Sequence, residues 1–174
     1  MIYYNDENVI IRSMEQEDSQ KIYDEQLAQN WHPSKEIYDG YYMDQETNKR
    51  FVFIAEYQGS IAGYTTLFAE ATTGPFANKG IPEVVDFGVF IKYQRKGIGN
   101  IILDVVEKIA SEISNTISLG VGLHSGYGAA QRIYVKRGYI PDGSGVWYKN
   151  VQLDQYSSCC NDDDLVLYLS KLIH

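Results

Sequence analysis

The segment Gln94-Arg95-Lys96-Gly97-Ile98-Gly99 sets two glycines and two cations between an apolar strand and an amphipathic helix. A helix start is an anion site, because its first N–H groups lack intrahelical partners and the helix dipole favours negative charge there. Gly97 and Gly99 carry no Cβ, so a phosphate group can approach the main chain closely. No GxxxxGK[ST] is present, and GxGxxG fails because position 102 is Ile102. The strand leading in carries two carboxylates, Glu83 and Asp86, and a tyrosine, Tyr134, lies on a later helix. Carboxylates and a phenol beside an anion site are the parts of general acid–base chemistry.

These residues need elements to hold them. Glu83–Ile91 reads as a strand in which Asp86 interrupts the apolar run, so Asp86 is either buried and paired or facing a cleft. Past Gly97, the residues Ile98, Ile101, Ile102, Val105, Val106, Ile109 and Ile113 recur on one helical face. Ile117–Leu123 alternates, with Ser118, Gly120 and Gly122 leaving one side nearly bare. Glycine in a strand marks the close approach of a ligand or backbone, or a thin strand under a bulky neighbour. Ala130, Ile133, Tyr134 and Arg137 form the next helical stripe, and Gly138 sits where a C-cap glycine belongs.

The pattern (Q/R)xxGx(G/A) between strand and helix, followed by AxxxYxxxG(F/Y) from Ala130 to Tyr139, resembles the GNAT superfamily of acyl-CoA-dependent N-acetyltransferases. The resemblance is carried by motifs over Glu83–Tyr139 and is architectural elsewhere. It implies an α/β fold: a mixed, twisted sheet of about seven strands flanked by about four helices, as one domain over 1–174. It also implies acetyl-CoA as acyl donor. Its coenzyme would lie along Val89, Phe90, Ile91, Gln94, Arg95, Lys96, Gly97, Ile98, Gly99 and Asn100.

Acetyl transfer to an amine requires that the ammonium, with a pKa of about 10.4, lose its proton. It also requires a donor for the developing oxyanion and an acid for the departing thiolate. The resemblance implies Tyr134 as the acid, and it puts Glu83 where several family members keep a catalytic glutamate. Glu83 is then the base, or else a strand-end surface carboxylate. Asp86 competes with it for the base role, and either carboxylate is also suited to binding a cationic substrate. The oxyanion donor is expected among the main-chain N–H groups near Val89 and Phe90, with Gly88 allowing close approach.

Composition sets the outer bounds. The 174 residues contain 44% hydrophobic and 22% charged residues, enough for a packed core. The net charge of −8 argues against nucleic acid and leans towards cationic partners such as amines. No apolar run reaches membrane-spanning length and the start MIYYNDENV is no signal peptide, so a cytoplasmic location is expected. Cys159 and Cys160 have neither CxxC nor zinc spacing, and His32, His124 and His174 are scattered, so no metal is expected. Asp162-Asp163-Asp164 offers a solvated loop or a clamp for a polycationic amine.

The remaining elements read as a strand at Val9–Arg12, helices over Glu17–Gln29 and Ser34–Gln45, and strands at Phe51–Tyr57 and Ile61–Ala69. A hairpin turn is expected at Gln58–Ser60, a loop at 71–82, turns over Pro141–Gly145 and a last strand at Leu165–Leu172. Three functions stay in view: a small-molecule or peptide N-acetyltransferase, a protein N-terminal or lysine acetyltransferase, and a non-catalytic acyl-CoA sensor. A homodimer is possible by family analogy, and no motif names the acceptor.

Overall fold

Gln58 and Gly59 both take positive φ, 50° and 80°. They make the two-residue turn whose twist matches a hairpin, with Tyr57 paired to Ser60. This hairpin, β3 (Phe51–Tyr57) and β4 (Ser60–Phe68), follows β1 (Ile2–Asn5), β2 (Val9–Ser13), α1 (Asp18–Ala28) and α2 (Lys35–Glu46). After it come β5 (Glu83–Val89), α3 (Ile98–Ser111), β6 (Thr116–Gly122), α4 (Gly128–Lys136), β7 (Ile140–Tyr148), β8 (Val151–Gln152) and β9 (Leu165–Leu172). The computed structural model describes residues 1–173, so His174 lies outside the described residues.

Among the described residues the architecture is α/β, with four helices and a mixed sheet of nine strands rather than about seven. The two extra strands are β1, a four-residue edge, and the two-residue β8. Both are too short to show periodicity. Lys149 and Asn150, with φ of 50° and 63°, turn β7 into β8.

Two compact units share the chain. The first takes Met1–Phe68 with Val85–Ile109, and the second takes Ala69–Val84 with the chain from Ala110 onward. In the first, β1 to β4 run antiparallel and β5 follows β4 in strand order. β4 is buried from Ile61 to Leu67, as a central strand covered on both faces must be. Met14, Ile22, Tyr38, Tyr41, Val52, Ile54, Ile61, Tyr64 and Phe90 form one core cluster. Ile98, Ile102, Val105 and Val106 of α3 are buried as the stripe predicts, Ile101 and Ile109 are half-buried, and Leu103, outside the stripe, is buried as well. Ile113 departs from it: the helix ends at Ser111 and Ile113 is exposed.

In the second unit the order is β5, β6, β9, β7, β8. Glu83 and Val84 pair parallel with Ser118 and Leu119, and β6 pairs antiparallel with β9 along its whole length. The expected turns over Pro141–Gly145 are a bulge inside β7, where the register shifts and Gly143 and Gly145 take φ of 90° and 81°.

The helix starts differ from expectation in their chemistry. Glu17 occupies the N-cap of α1 without a side-chain cap, and Asp18 turns inward instead. Asp18 is fully buried and accepts from Arg12 at 2.5 and 3.0 Å and from the Glu15 N–H at 2.8 Å. Arg12 also donates to Glu56 at 2.8 Å. Ser34 does precede α2, but its hydroxyl donates to the Glu36 carboxylate and accepts from no main-chain N–H.

Candidate active site

In the first unit the phosphate loop is tied down at its entrance. The Phe90 N–H donates to Ala62 O at 2.9 Å, and the Phe90 ring is buried in the core cluster beside Tyr64. The Ile91 N–H donates to Gln29 Oε1 at 3.0 Å, and Gln94 Nε2 donates to Val89 O at 3.1 Å. Gln94 is extended, whereas Arg95 (φ 62°) and Gly97 (φ 83°) are left-handed. Gly97 O accepts from the N–H groups of Asn100 and Ile101 at 3.0 and 3.3 Å, which starts the α3 ladder. Helix geometry then leaves the N–H groups of Gly97, Ile98 and Gly99 without carbonyl partners inside the helix. Such a turn of alternating handedness at a helix head makes an anion-binding concavity. Ile98 is buried and fixes the loop to the core, while Gln94, Arg95, Lys96, Gly97 and Asn100 are exposed. Lys96 Nζ lies 4.9 Å from the Tyr57 ring centroid.

A Cβ at Gly97 would meet no atom within 4 Å, so its requirement for glycine is purely conformational. Gly97→Val is therefore expected to reshape the loop with little loss of core packing. Isothermal calorimetry should show acetyl-CoA affinity falling at least about tenfold, an energy of about 1.4 kcal/mol, while stability falls by no more than the left-handed strain of about 1–3 kcal/mol. Unchanged affinity would move the coenzyme elsewhere.

β5 is distorted at Asp86, which takes φ 57° inside the strand. An L-residue in that region costs about 1–3 kcal/mol and marks a site held by its surroundings. The hydroxyls of Thr65 and Thr66 both donate to Val85 O, at 3.3 and 3.1 Å. A Cβ added at Gly63 would strike the Gly88 carbonyl. Gly63 rather than Gly88 is thus the close-approach glycine, since a Cβ at Gly88 would meet nothing. Asp86 itself is exposed and accepts a 2.5 Å hydrogen bond from the Tyr41 hydroxyl. Burial, then the Asp86 charge, pushes the Tyr41 phenol well upward, so it stays a donor.

In the second unit Glu83 is 7% exposed, and desolvation alone raises its carboxyl to about 7. Among the described residues no hydrogen-bond donor or cation pairs with it. Its register partner Ser118 sends both N–H and hydroxyl to Pro82 O, at 2.8 and 3.0 Å. The register puts Glu83 on the face that carries Ser118, Gly120 and Tyr168. Burial, then the Glu83 charge, raises the Tyr168 phenol. Tyr168 packs on Gly120 and edge-on against Phe76 and Trp147, at 6.4 and 5.6 Å between centroids. Gly120 and Gly122 therefore accommodate bulky rings, Tyr168 and Tyr127, in this structure.

Tyr134 is 5% exposed on α4, its ring 5.6 Å from Tyr139. Gly138 (φ 88°) ends the helix as expected, and the Tyr139 N–H returns to Tyr134 O at 3.0 Å. Two carboxylates of the acidic triplet are used internally. Asp163 accepts from Tyr127 and meets His124 Nε2, both at 2.9 Å, and Asp162 accepts from Tyr148 at 3.1 Å. Cys159 and Cys160 are free and exposed.

Sequence reasoning missed Tyr41, Thr65, Thr66, Gly63 and Tyr168. Only the break in apolar pattern at Asp86 hinted at any of them.

Residues 13–139 match the acetyltransferase (GNAT) family. The chain belongs to that family. A comparison with the sequences of curated proteins gives no match. The fold is that of solved GNAT structures. An acetyl transferase from Salmonella typhimurium that modifies the N-terminal serine of ribosomal protein L7/L12 is 11% identical, with TM-score 0.75 and 100% of both chains covered. The ribosomal-protein-S18-alanine N-acetyltransferase of Escherichia coli is 14% identical, with TM-score 0.65, over 95% of this chain and 94% of that one. A putative acetyltransferase of Salmonella typhimurium, yncA, with its cofactor acetyl-CoA, is 14% identical, with TM-score 0.66, over 96% and 95%. Among the described residues no helix is long and apolar enough to cross a membrane, and no His/Cys/Asp/Glu group is placed to hold a metal.

Proposed function

We propose that this GNAT protein moves an acetyl group from acetyl-CoA to the amine of a small molecule or peptide by direct attack, as one catalytic domain in the cytoplasm. One observation carries the reading: the β5–α3 connection sets left-handed Arg95 and Gly97 before three N–H groups that the helix leaves unused. The coenzyme pyrophosphate takes those N–H groups, with Gln94, Lys96 and Asn100 around it.

The Val89 N–H polarises the thioester carbonyl. Phe90 and Ile91 have spent theirs on Ala62 and Gln29, and strand alternation turns the Val89 N–H to the edge opposite that of Phe90. Phe90 and Ile91 meet the coenzyme through side chain or carbonyl. Glu83 takes the amine proton through water, since a base works best when its pKa lies near the working pH. Tyr134 protonates the departing thiolate. The second reading, a protein N-terminus as acceptor, draws on two solved structures of this fold, 11% and 14% identical, that act on ribosomal proteins.

The test is thiol release from acetyl-CoA against polyamines, aminoglycosides, amino acids and short peptides, with calorimetric acetyl-CoA binding alongside. Turnover with one class establishes the transferase and its acceptor, whereas no coenzyme binding overturns the reading. Tyr134→Phe is expected to lower kcat by about 100-fold while sparing coenzyme affinity. Steady-state kinetics with unchanged kcat would remove Tyr134 from the acid role.

A further inference from the structure

Two carboxylates stand on β5, and their surroundings differ in ways that divide the work. Asp86 is turned out of the strand pattern by its left-handed backbone, and the Thr65 and Thr66 hydroxyls satisfy the Val85 carbonyl displaced beside it. The result is an exposed carboxylate with one oxygen, Oδ2, fixed by Tyr41 at 2.5 Å. Among the described residues no Lys, Arg or His forms an ion pair with Asp86. Arg50, whose charge acts on Tyr41, pairs instead with Asp44 at 2.8 Å and lies over the Tyr41 and Phe68 rings at 4.9 and 4.3 Å. Behind Asp86, the rings of Tyr38, Tyr41 and Tyr64 pack edge-on or tilted, with centroids 5.7–6.3 Å apart. An uncompensated carboxylate backed by aromatic rings suits an organic ammonium.

We infer that Asp86, oriented by Tyr41, anchors a second, non-reacting cationic group of the acceptor, so that the enzyme prefers amines carrying two or more positive charges. The inference rests on the N-acetyltransferase reading and adds the substrate class. An ammonium bound to a carboxylate is stabilised in its charged form and is no nucleophile. Asp86 is thus the wrong partner for the amine that must react and the right one for an amine that must stay. The unpaired, desolvated Glu83 is left as the base. Tyr41 is a positioning residue: its hydroxyl holds one carboxylate oxygen and leaves Oδ1 for the cation.

The test compares putrescine and spermidine with n-butylamine by calorimetry, on the wild-type protein, Asp86→Asn and Tyr41→Phe, with acetyl-CoA titrated in parallel. Asparagine tolerates left-handed φ, so Asp86→Asn keeps the left-handed backbone of β5. The expected result is a wild-type preference for the polycations of about tenfold or more, the scale of one ion pair worth 1.4 kcal/mol. Asp86→Asn should erase that preference and Tyr41→Phe should reduce it, with acetyl-CoA affinity unchanged in both. Equal affinities for all three amines in the wild type, or a preference that survives Asp86→Asn, would overturn the inference. Failure to bind acetyl-CoA would instead strike the transferase reading, whatever the amines do.

Discussion

Replacing Glu83 by glutamine should stabilise the protein above pH 7 while removing most of its activity. The Glu83 carboxyl sits at about 7 because burial disfavours its charge, against an ordinary 4.5. That gap corresponds to about 3 kcal/mol. The folded state holds the proton more tightly than the unfolded chain does. The destabilisation is therefore absent below about pH 4.5, grows as pH rises, and is complete above about pH 7. Glu83→Gln should accordingly raise the melting temperature by about 6–9 °C at pH 8 and have little effect at pH 4. As general base, Glu83 should contribute about 100-fold or more to turnover, with wild-type kcat/KM rising through about pH 7. Calorimetric melts and pH–rate profiles on the same two proteins check both halves. A variant that gains stability and keeps its turnover would make Glu83 a buried carboxylate with no catalytic role.

Asp18→Ala should have the largest cost to folding. It would leave Arg12 without its two Asp18 contacts, at 2.5 and 3.0 Å, and the Glu15 N–H without its acceptor, with Glu56 as the remaining carboxylate partner of Arg12. Breaking one side of a buried ion pair costs about 3–5 kcal/mol, because the remaining charge stays desolvated. Urea unfolding should show that loss in the midpoint at unchanged slope. Burial pushes the Asp18 carboxyl up, but the Arg12 guanidinium and the Glu15 N–H together hold it below the usual range. Its contribution is thus present above about pH 4 and fades as pH falls through the lower folded value. Asp18→Leu paired with Arg12→Met should recover part of the loss, since it removes the buried pair and leaves only the half-buried Glu56 without its cation. A single variant as stable as the wild type would show the pair to be energetically idle.

The two carboxylates illustrate how far the sequence could be read. Asp86 was conspicuous because one charge broke an apolar run. Its exposure, however, follows from a left-handed φ that no pattern announces. Glu83 gave no such signal: at the start of a strand it was equally a surface residue or a base. Its burial, with Ser118 already spent on Pro82, removes the surface reading, and the base role is our proposal. The acidic triplet shows the reverse case. Its charges looked free along the chain, but Tyr127, His124 and Tyr148 take up two of the three.

What the sequence determined by itself is local. Gly97 and Gly138 mark backbone turns that favour a residue without a Cβ, the α3 stripe obeys a helical period, and β3 and β9 have the bounds their apolar runs predict. Each is set by interactions within a few residues, so the order of types along the chain is enough. What only the tertiary structure decided is pairing at long range: Arg12 with Glu56 across 44 positions, Tyr41 with Asp86 across 45, Tyr168 over Gly120. Those contacts, and the burial that raises Glu83, depend on which strands become neighbours. Charge, exposure and proton affinity at the site are properties of that packed neighbourhood and not of the residues that enter it.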